Sequence, residues 1–192
     1  MNRLEIRIAG TGGQGLILAA KMLAAALAAG GQRVAQSQTY EPTSRGGLCT
    51  ADLVVASVSV DYPLATALDY LVLLDALAVQ PSLPLIKAGA VVIADIRLCP
   101  KVPAGAYRVY RLPLNRTALE LGSERVTNMV ALGALAEIGG ICRRAALVHA
   151  VKDETPRSFL QLNLDALEAG FRLGAEVAGS APSSAAPARG GR

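Results

Sequence analysis

The stretch GTGGQG, residues 10 to 15, is entered from the alternating apolar segment RLEIRIA (3 to 9) and left through an Ala- and Leu-rich run that reaches Ala29. Strand, glycine turn and helix form the first half of a crossover connection, and such a connection returns the chain to the same sheet. The rest of the sequence extends this pattern. RVAQSQ (33 to 38) and CTADLVVAS (49 to 57) read as strands on either side of the loop TYEPTSRGG (39 to 47). DYLVLLD (69 to 75) and AVVIAD (90 to 95) are short apolar runs closing on an acid, and AYRVYRLP (106 to 113) gives a sixth strand. Helices are expected near 14–29, 114–121, 127–138, 143–152 and 158–178.

Strands that are apolar on both faces and separated by helical segments indicate a parallel sheet covered on both sides. The expected class is therefore α/β: a Rossmann-like, doubly wound, mostly parallel sheet of about six strands with helices on both faces. Residues 1–178 form one domain in this reading. Residues 179–192, GSAPSSAAPARGG and a final Arg, cannot supply a core and are expected to be a flexible tail.

Composition removes several functional classes. Aromatics are 4% of the 192 residues and Trp is absent, so few side chains can stack on bases. The net charge is only +4 and the arginines are scattered, which argues against a nucleic-acid partner. Cys49, Cys99 and Cys142 lie far apart and His149 is the only histidine, which leaves no metal or iron–sulfur ligand set in this chain. The odd cysteine count and the lack of a leader pattern point to a reducing cytoplasm. No membrane span is expected: the longest apolar run, residues 15 to 31, contains Lys21 and ends in Gly30-Gly31, short of the about 20 uninterrupted residues required.

Gly10, Gly12 and Gly15 have the G-x-G-x-x-G spacing of a dinucleotide loop, but the acid that holds the ribose is missing. The second strand closes on Gln36-Ser37-Gln38, and the first acid after the loop is Glu41. No Gly-Lys-Ser/Thr follows, so a Walker phosphate loop is excluded as well. Two readings of the loop remain open: a nest of backbone donors at a helix N-terminus, suited to an anion, or a tight turn packed against another subunit. The second loop adds Arg45 before Gly46 and Gly47, beyond the bend at Pro42. In a doubly wound sheet both loops leave the same edge, so a guanidinium fork and a donor nest can face one ligand; the alternative is that Arg45 pairs with an acid across an interface. Asn128 either caps the helix it begins or donates to a ligand. His149 reads as a packed or surface side chain, Cys49 as a buried strand thiol, and Lys21 as paired with an acid or lying along the surface.

In combination, GTGGQG, YEPTSRGG, TNMVALGALAE and the closing FLQLNLDALEAGF resemble the gamma subunit, or gamma domain, of the 2-oxoacid:acceptor oxidoreductases, which include the pyruvate, 2-oxoglutarate, indolepyruvate and phenylglyoxylate enzymes. The resemblance spans nearly all of residues 4 to 175. It implies a multisubunit enzyme that decarboxylates a 2-oxoacid on thiamine diphosphate with Mg2+, passes electrons through [4Fe–4S] clusters to ferredoxin or a similar acceptor, and forms an acyl-CoA. The implied partners are alpha and beta subunits carrying thiamine diphosphate and a ferredoxin-like iron–sulfur subunit. Carried onto this sequence, the resemblance makes Gly12, Gly13, Gln14, Gly15, Arg45, Gly46, Gly47 and Asn128 candidates for the coenzyme A site. It assigns no catalytic or metal-ligating residue here, and the chain lacks a thiamine-diphosphate motif, so activity alone is not expected. A purely structural assembly role without a ligand is the competing expectation.

Overall fold

The computed structural model describes residues 3–41, 46–58, 60 and 62–179. The tail expected from residue 179 onward lies outside these, apart from Gly179. Six strands form one sheet: β1 (Leu4–Thr11), β2 (Arg33–Tyr40), β3 (Leu48–Ala56), β4 (Leu68–Leu73), β5 (Ile86–Asp95) and β6 (Arg108–Leu112). The order across the sheet is β2-β3-β1-β4-β5-β6. β1, β4, β5 and β6 pair in parallel, while β3 runs antiparallel to both of its neighbours, β1 and β2. The sheet is thus mostly parallel, as expected, with one reversed strand. The reversal follows from chain length: only residues 41–47 separate β2 from β3, too few for a parallel crossover, which takes a dozen or more.

Helices cover the two faces unequally. One face presents Ile6 and Ile8 of β1, Cys49, Ala51, Leu53 and Val55 of β3, Val72 of β4, and Val91 and Ile93 of β5. Over it lie α1 (Leu16–Ala29), α3 (Leu114–Glu120) and α4 (Thr127–Gly139), with α5 (Arg144–Glu154) and α6 (Arg157–Ala178) packed on those helices. The opposite face presents Ala9, Leu71, Leu73, Val92 and Ala94 to short helical turns, of which α2 (Val79–Ser82) is the centre, and to Cys99. This alternation of strand residues between two apolar layers is why the strands read as hydrophobic throughout.

Three features hold the arrangement. Residues 127–136 of α4 are all buried, and where α4 crosses α6 the backbones nearly touch. A side chain at Gly133 would strike the Leu167 carbonyl, and one at Gly170 would strike the Val130 carbonyl. On the sheet, Arg7 forms a bidentate pair with Asp52 across β1 and β3, at 2.7 Å on both arms, with the two side chains 11% and 9% exposed. Glu5, also buried, accepts N–H groups from Thr66 (2.5 Å) and Ala67 (2.7 Å) and so ties down the connection into β4. No helix among the described residues is long and apolar enough to cross a membrane.

Candidate functional site

The chain turns to one flank of the sheet after β1 and to the other after β4, and these strands are neighbours. Their carboxyl ends mark the topological switch point, where doubly wound sheets open a crevice. The glycine loop fills the β1 side of it. Gly15 precedes α1 in the left-handed conformation (φ 71°, ψ 26°) with no side-chain cap, and the first turn of α1 contains no acid. None of the N–H groups of Gly13, Gly15, Leu16, Ile17 and Leu18 has a hydrogen-bond acceptor among the described residues. Those of the first helical turn point along the axis and carry the positive end of the helix dipole. Gly12 and Gly13 are exposed; among the described residues, the atom nearest a side chain placed at Gly12 would be the Gly47 carbonyl oxygen at 3.9 Å, and a side chain at Gly13 would meet nothing within 4 Å.

The second loop arrives at this point as well, through hairpin geometry. β2 ends on the same edge as β1, and Leu48 and Cys49 at the start of β3 lie opposite Thr11 and Gly10. The mouth of the hairpin is closed by Glu41, whose backbone N–H donates to Leu48 O (2.9 Å) and whose carboxylate accepts from Leu48 N (3.2 Å). Gly12 N donates to Gly47 O at 2.9 Å, joining the two loops directly. Gly46 and Gly47 therefore lie beside the glycine loop; Arg45 falls outside the described residues.

Three of the expected outward donors are instead engaged within the protein. The Gly12 N–H belongs to Gly47. The Gln14 side chain folds back: its Oε1 accepts from Thr11 N at 2.8 Å and its Nε2 donates to Leu74 O at 3.0 Å. Asn128 is 5% exposed; its Nδ2 donates to Gly15 O at 3.0 Å and its Oδ1 accepts from Met129 N at 2.9 Å. A loop of glycines has no side chains with which to satisfy its own backbone, so neighbouring amides supply those partners. Of the open donors, those of Gly13 and Gly15 belong to residues already named from the sequence, whereas those of Leu16, Ile17 and Leu18 do not; any helix start leaves such groups free, which is the signal that identifies them.

The remaining candidates lie away from the crevice or are silent. Lys21 pairs with Glu154 at 2.6 Å, the first of the two placements expected for it. His149 is an exposed side chain whose Nδ1 lies 2.7 Å from Asp153. Cys49 is buried, and burial pushes its thiol above the usual range, as expected of a packed strand cysteine. No group of three or more His, Cys, Asp or Glu among the described residues could hold a metal ion. The end of β2, where a dinucleotide fold places its ribose acid, is separated from β1 by the inserted β3, a displacement of two strand spacings or about 10 Å. A cavity of about 1100 Å³ lies at the opposite edge, between the C-terminal end of α1 and the start of α5, and no glycine-loop residue lines it.

Residues 5–173 match the family model described as pyruvate ferredoxin/flavodoxin oxidoreductase. The 2-oxoglutarate synthase subunit KorC of Methanothermobacter thermautotrophicus is 37% identical over 179 residues, covering 89% of this chain and 95% of the relative. KorC of Archaeoglobus fulgidus is 35% identical over 175 residues, covering 91% and 89%. Among solved structures, the keto/oxoacid ferredoxin oxidoreductase gamma subunit of Geobacter sulfurreducens superimposes with a TM-score of 0.80 at 33% identity, over 90% of this chain and 99% of that one. The 2-oxoglutarate:ferredoxin oxidoreductase of Magnetococcus marinus, solved with 2-oxoglutarate, coenzyme A and succinyl-CoA bound, gives a TM-score of 0.82 at 28% identity; the match covers 92% of this chain but 32% of that longer one. The mixed sheet, the glycine crevice and these likenesses together place the chain in the pyruvate ferredoxin/flavodoxin oxidoreductase family, as a gamma subunit of a 2-oxoacid:ferredoxin oxidoreductase.

Proposed function

We propose that this subunit binds the phosphate-bearing part of coenzyme A while partner subunits carry out the redox chemistry. The supporting observation is the set of N–H groups at Gly13, Gly15, Leu16, Ile17 and Leu18 that have no acceptor among the described residues, gathered at a helix N-terminus on the switch point, with no described atom nearer than 3.9 Å to a side chain placed at Gly12 or Gly13. An anion suits such a set through both directed hydrogen bonds and the helix dipole. Gly46 and Gly47, on the hairpin joined to Gly12, supply the second wall, and the neighbouring Arg45 has the chemistry of a bidentate phosphate partner. Gly12, Gln14 and Asn128 shape the pocket from behind.

In this reading the complex converts a 2-oxoacid and coenzyme A to an acyl-CoA and CO2, with two electrons passed to ferredoxin or a similar acceptor. Alpha and beta subunits hold thiamine diphosphate with Mg2+, and an iron–sulfur subunit holds [4Fe–4S] clusters. The KorC likenesses favour 2-oxoglutarate as the 2-oxoacid. Replacing Arg45 by Ala removes one charge-assisted contact, about 1.5–3 kcal/mol, and is expected to raise the KM for coenzyme A by about 10- to 100-fold with iron and thiamine contents unchanged. The competing reading, an assembly subunit without a ligand, is favoured by the internal satisfaction of Gly12 N and of the Gln14 amide. An unchanged KM in the Arg45→Ala complex would establish it.

A further inference from the structure

We propose that Gln14 and Asn128 are positioning residues, which fix the glycine loop from its two sides before any ligand arrives and do not themselves touch the ligand. This rests on the coenzyme A reading of the loop for its functional consequence, and on the contacts alone for the positioning. Gln14 straddles the switch point: one amide atom takes the N–H at the end of β1, and the other reaches the carbonyl just beyond β4. Asn128 reaches across from the start of α4 to the carbonyl of Gly15, the residue at which the chain reverses into α1. Between these two anchors lie Gly12 and Gly13, which carry no side chain of their own to restrain them. Each amide makes one donor and one acceptor contact within the protein, and Asn128 is buried, so both are already committed to holding the backbone.

The anchor at Asn128 is itself held. Thr127, its neighbour, donates through Oγ1 to Glu124 O at 2.7 Å and accepts from Asn115 Nδ2 at 3.4 Å. The backbone of Asn115 donates to the fully buried Asp95, whose carboxylate also takes the N–H groups of Arg97 and Leu98. The end of β5, the start of α3 and the start of α4 are therefore joined through side-chain contacts, and Asn128 carries that rigidity to the loop. Donors held in place before binding spare the ligand the cost of ordering them, so affinity depends on residues behind the pocket.

The test uses the assembled enzyme complex with Gln14→Met and Asn128→Ala, followed by hydrogen exchange of the segment spanning residues 10–18 with no coenzyme A present. Each substitution removes two neutral hydrogen bonds, which together correspond to roughly ten- to a hundredfold in the opening equilibrium. Exchange in that segment is expected to speed up by about this factor in each variant, while β5 and α6 exchange at the original rate. The KM for coenzyme A is expected to rise by a similar factor, and by more than kcat falls. A raised KM with ligand-free exchange unchanged would make the amides direct contacts and overturn the proposal. Faster exchange with an unchanged KM would uphold the positioning and instead refute the coenzyme A reading. Should Asn128→Ala not fold, Gln14→Met carries the test alone, with the same outcomes read from it.

Discussion

A glycine-to-alanine series through the loop separates its structural role from its ligand role, because the three positions differ in backbone conformation and in surroundings. At Gly12 the backbone lies outside the left-handed region and the nearest atom to a new methyl group is Gly47 O at 3.9 Å. Folding stability should change by no more than about 0.5 kcal/mol, or rise slightly through loss of unfolded-state freedom. At Gly13 the space is open but φ is 97°, so alanine meets only the backbone cost of about 1–2 kcal/mol. At Gly15, φ is 71° and the methyl would sit 2.5 Å from Asn128 Nδ2. Displacing that buried amide adds about 1–3 kcal/mol to the backbone cost, for a total of about 2–5 kcal/mol. For a chain of this size each kcal/mol lowers Tm by about 2–4 °C. Urea unfolding of the chain should therefore rank the variants Gly12, Gly13, Gly15 in increasing damage. The KM for coenzyme A should behave differently: Gly12→Ala, the mildest for folding, puts a methyl where the ligand must approach and is expected to raise KM by tenfold or so. If Gly15→Ala proves no less stable than Gly12→Ala, the assigned backbone and Asn128 contact are wrong. If Gly12→Ala binds coenzyme A normally, the loop is a turn and nothing more.

Other expectations follow from the packing. Arg7→Ala leaves Asp52 as an unpaired, nearly buried charge and should cost about 3–5 kcal/mol in urea unfolding, whereas Arg7→Met with Asp52→Leu should recover most of it. Gly170→Ala forces α6 away from the Val130 carbonyl; a loss of about 1–3 kcal/mol is expected, and a Tm equal to the parent's would contradict the close crossing. The Glu5 carboxyl is subject to desolvation, which raises its pKa, but the N–H groups of Ala67 and Thr66 and the Arg3 side chain outweigh that and hold it below its ordinary 4.5. A depressed carboxylate pKa contributes stability above pH 4.5 and loses it as pH falls through the folded value. The urea midpoint should drop on acidification below that point, and more shallowly in Glu5→Gln.

The strands and the long helices were legible because periodicity reports burial, and burial is what the layers impose. Strand direction was not. Seven consecutive buried residues in β3, Cys49 to Val55, are what a central strand shows whichever way it runs, so hydropathy alone suggested a parallel neighbour. The shortness of the 41–47 connection carried the correct signal. β5 begins four residues earlier than its apolar run because Lys87 and Gly89 (φ 81°) interrupt the pattern near an irregular pairing with β4. The loop positions Gly12 to Gly15 were found by spacing, yet the direction of the Gln14 and Asn128 amides was hidden. It depends on Leu74 and Gly15, which lie 60 and 113 positions away from them in the chain.

The reversed strand also constrains the order in which the chain can fold. β1 is made first in the sequence, but its partner on one side is the far arm of a hairpin that spans residues 33 to 56. That hairpin is local and can close in microseconds; the pairing of β1 with β3 joins residues 37 to 51 positions apart and waits for it. Until the hairpin docks as a unit, both long edges of β1 depend on partners still to arrive, and the glycine loop has no Gly47 to bind. The glycine-loop crevice is thus completed late, in the same step that closes this side of the sheet.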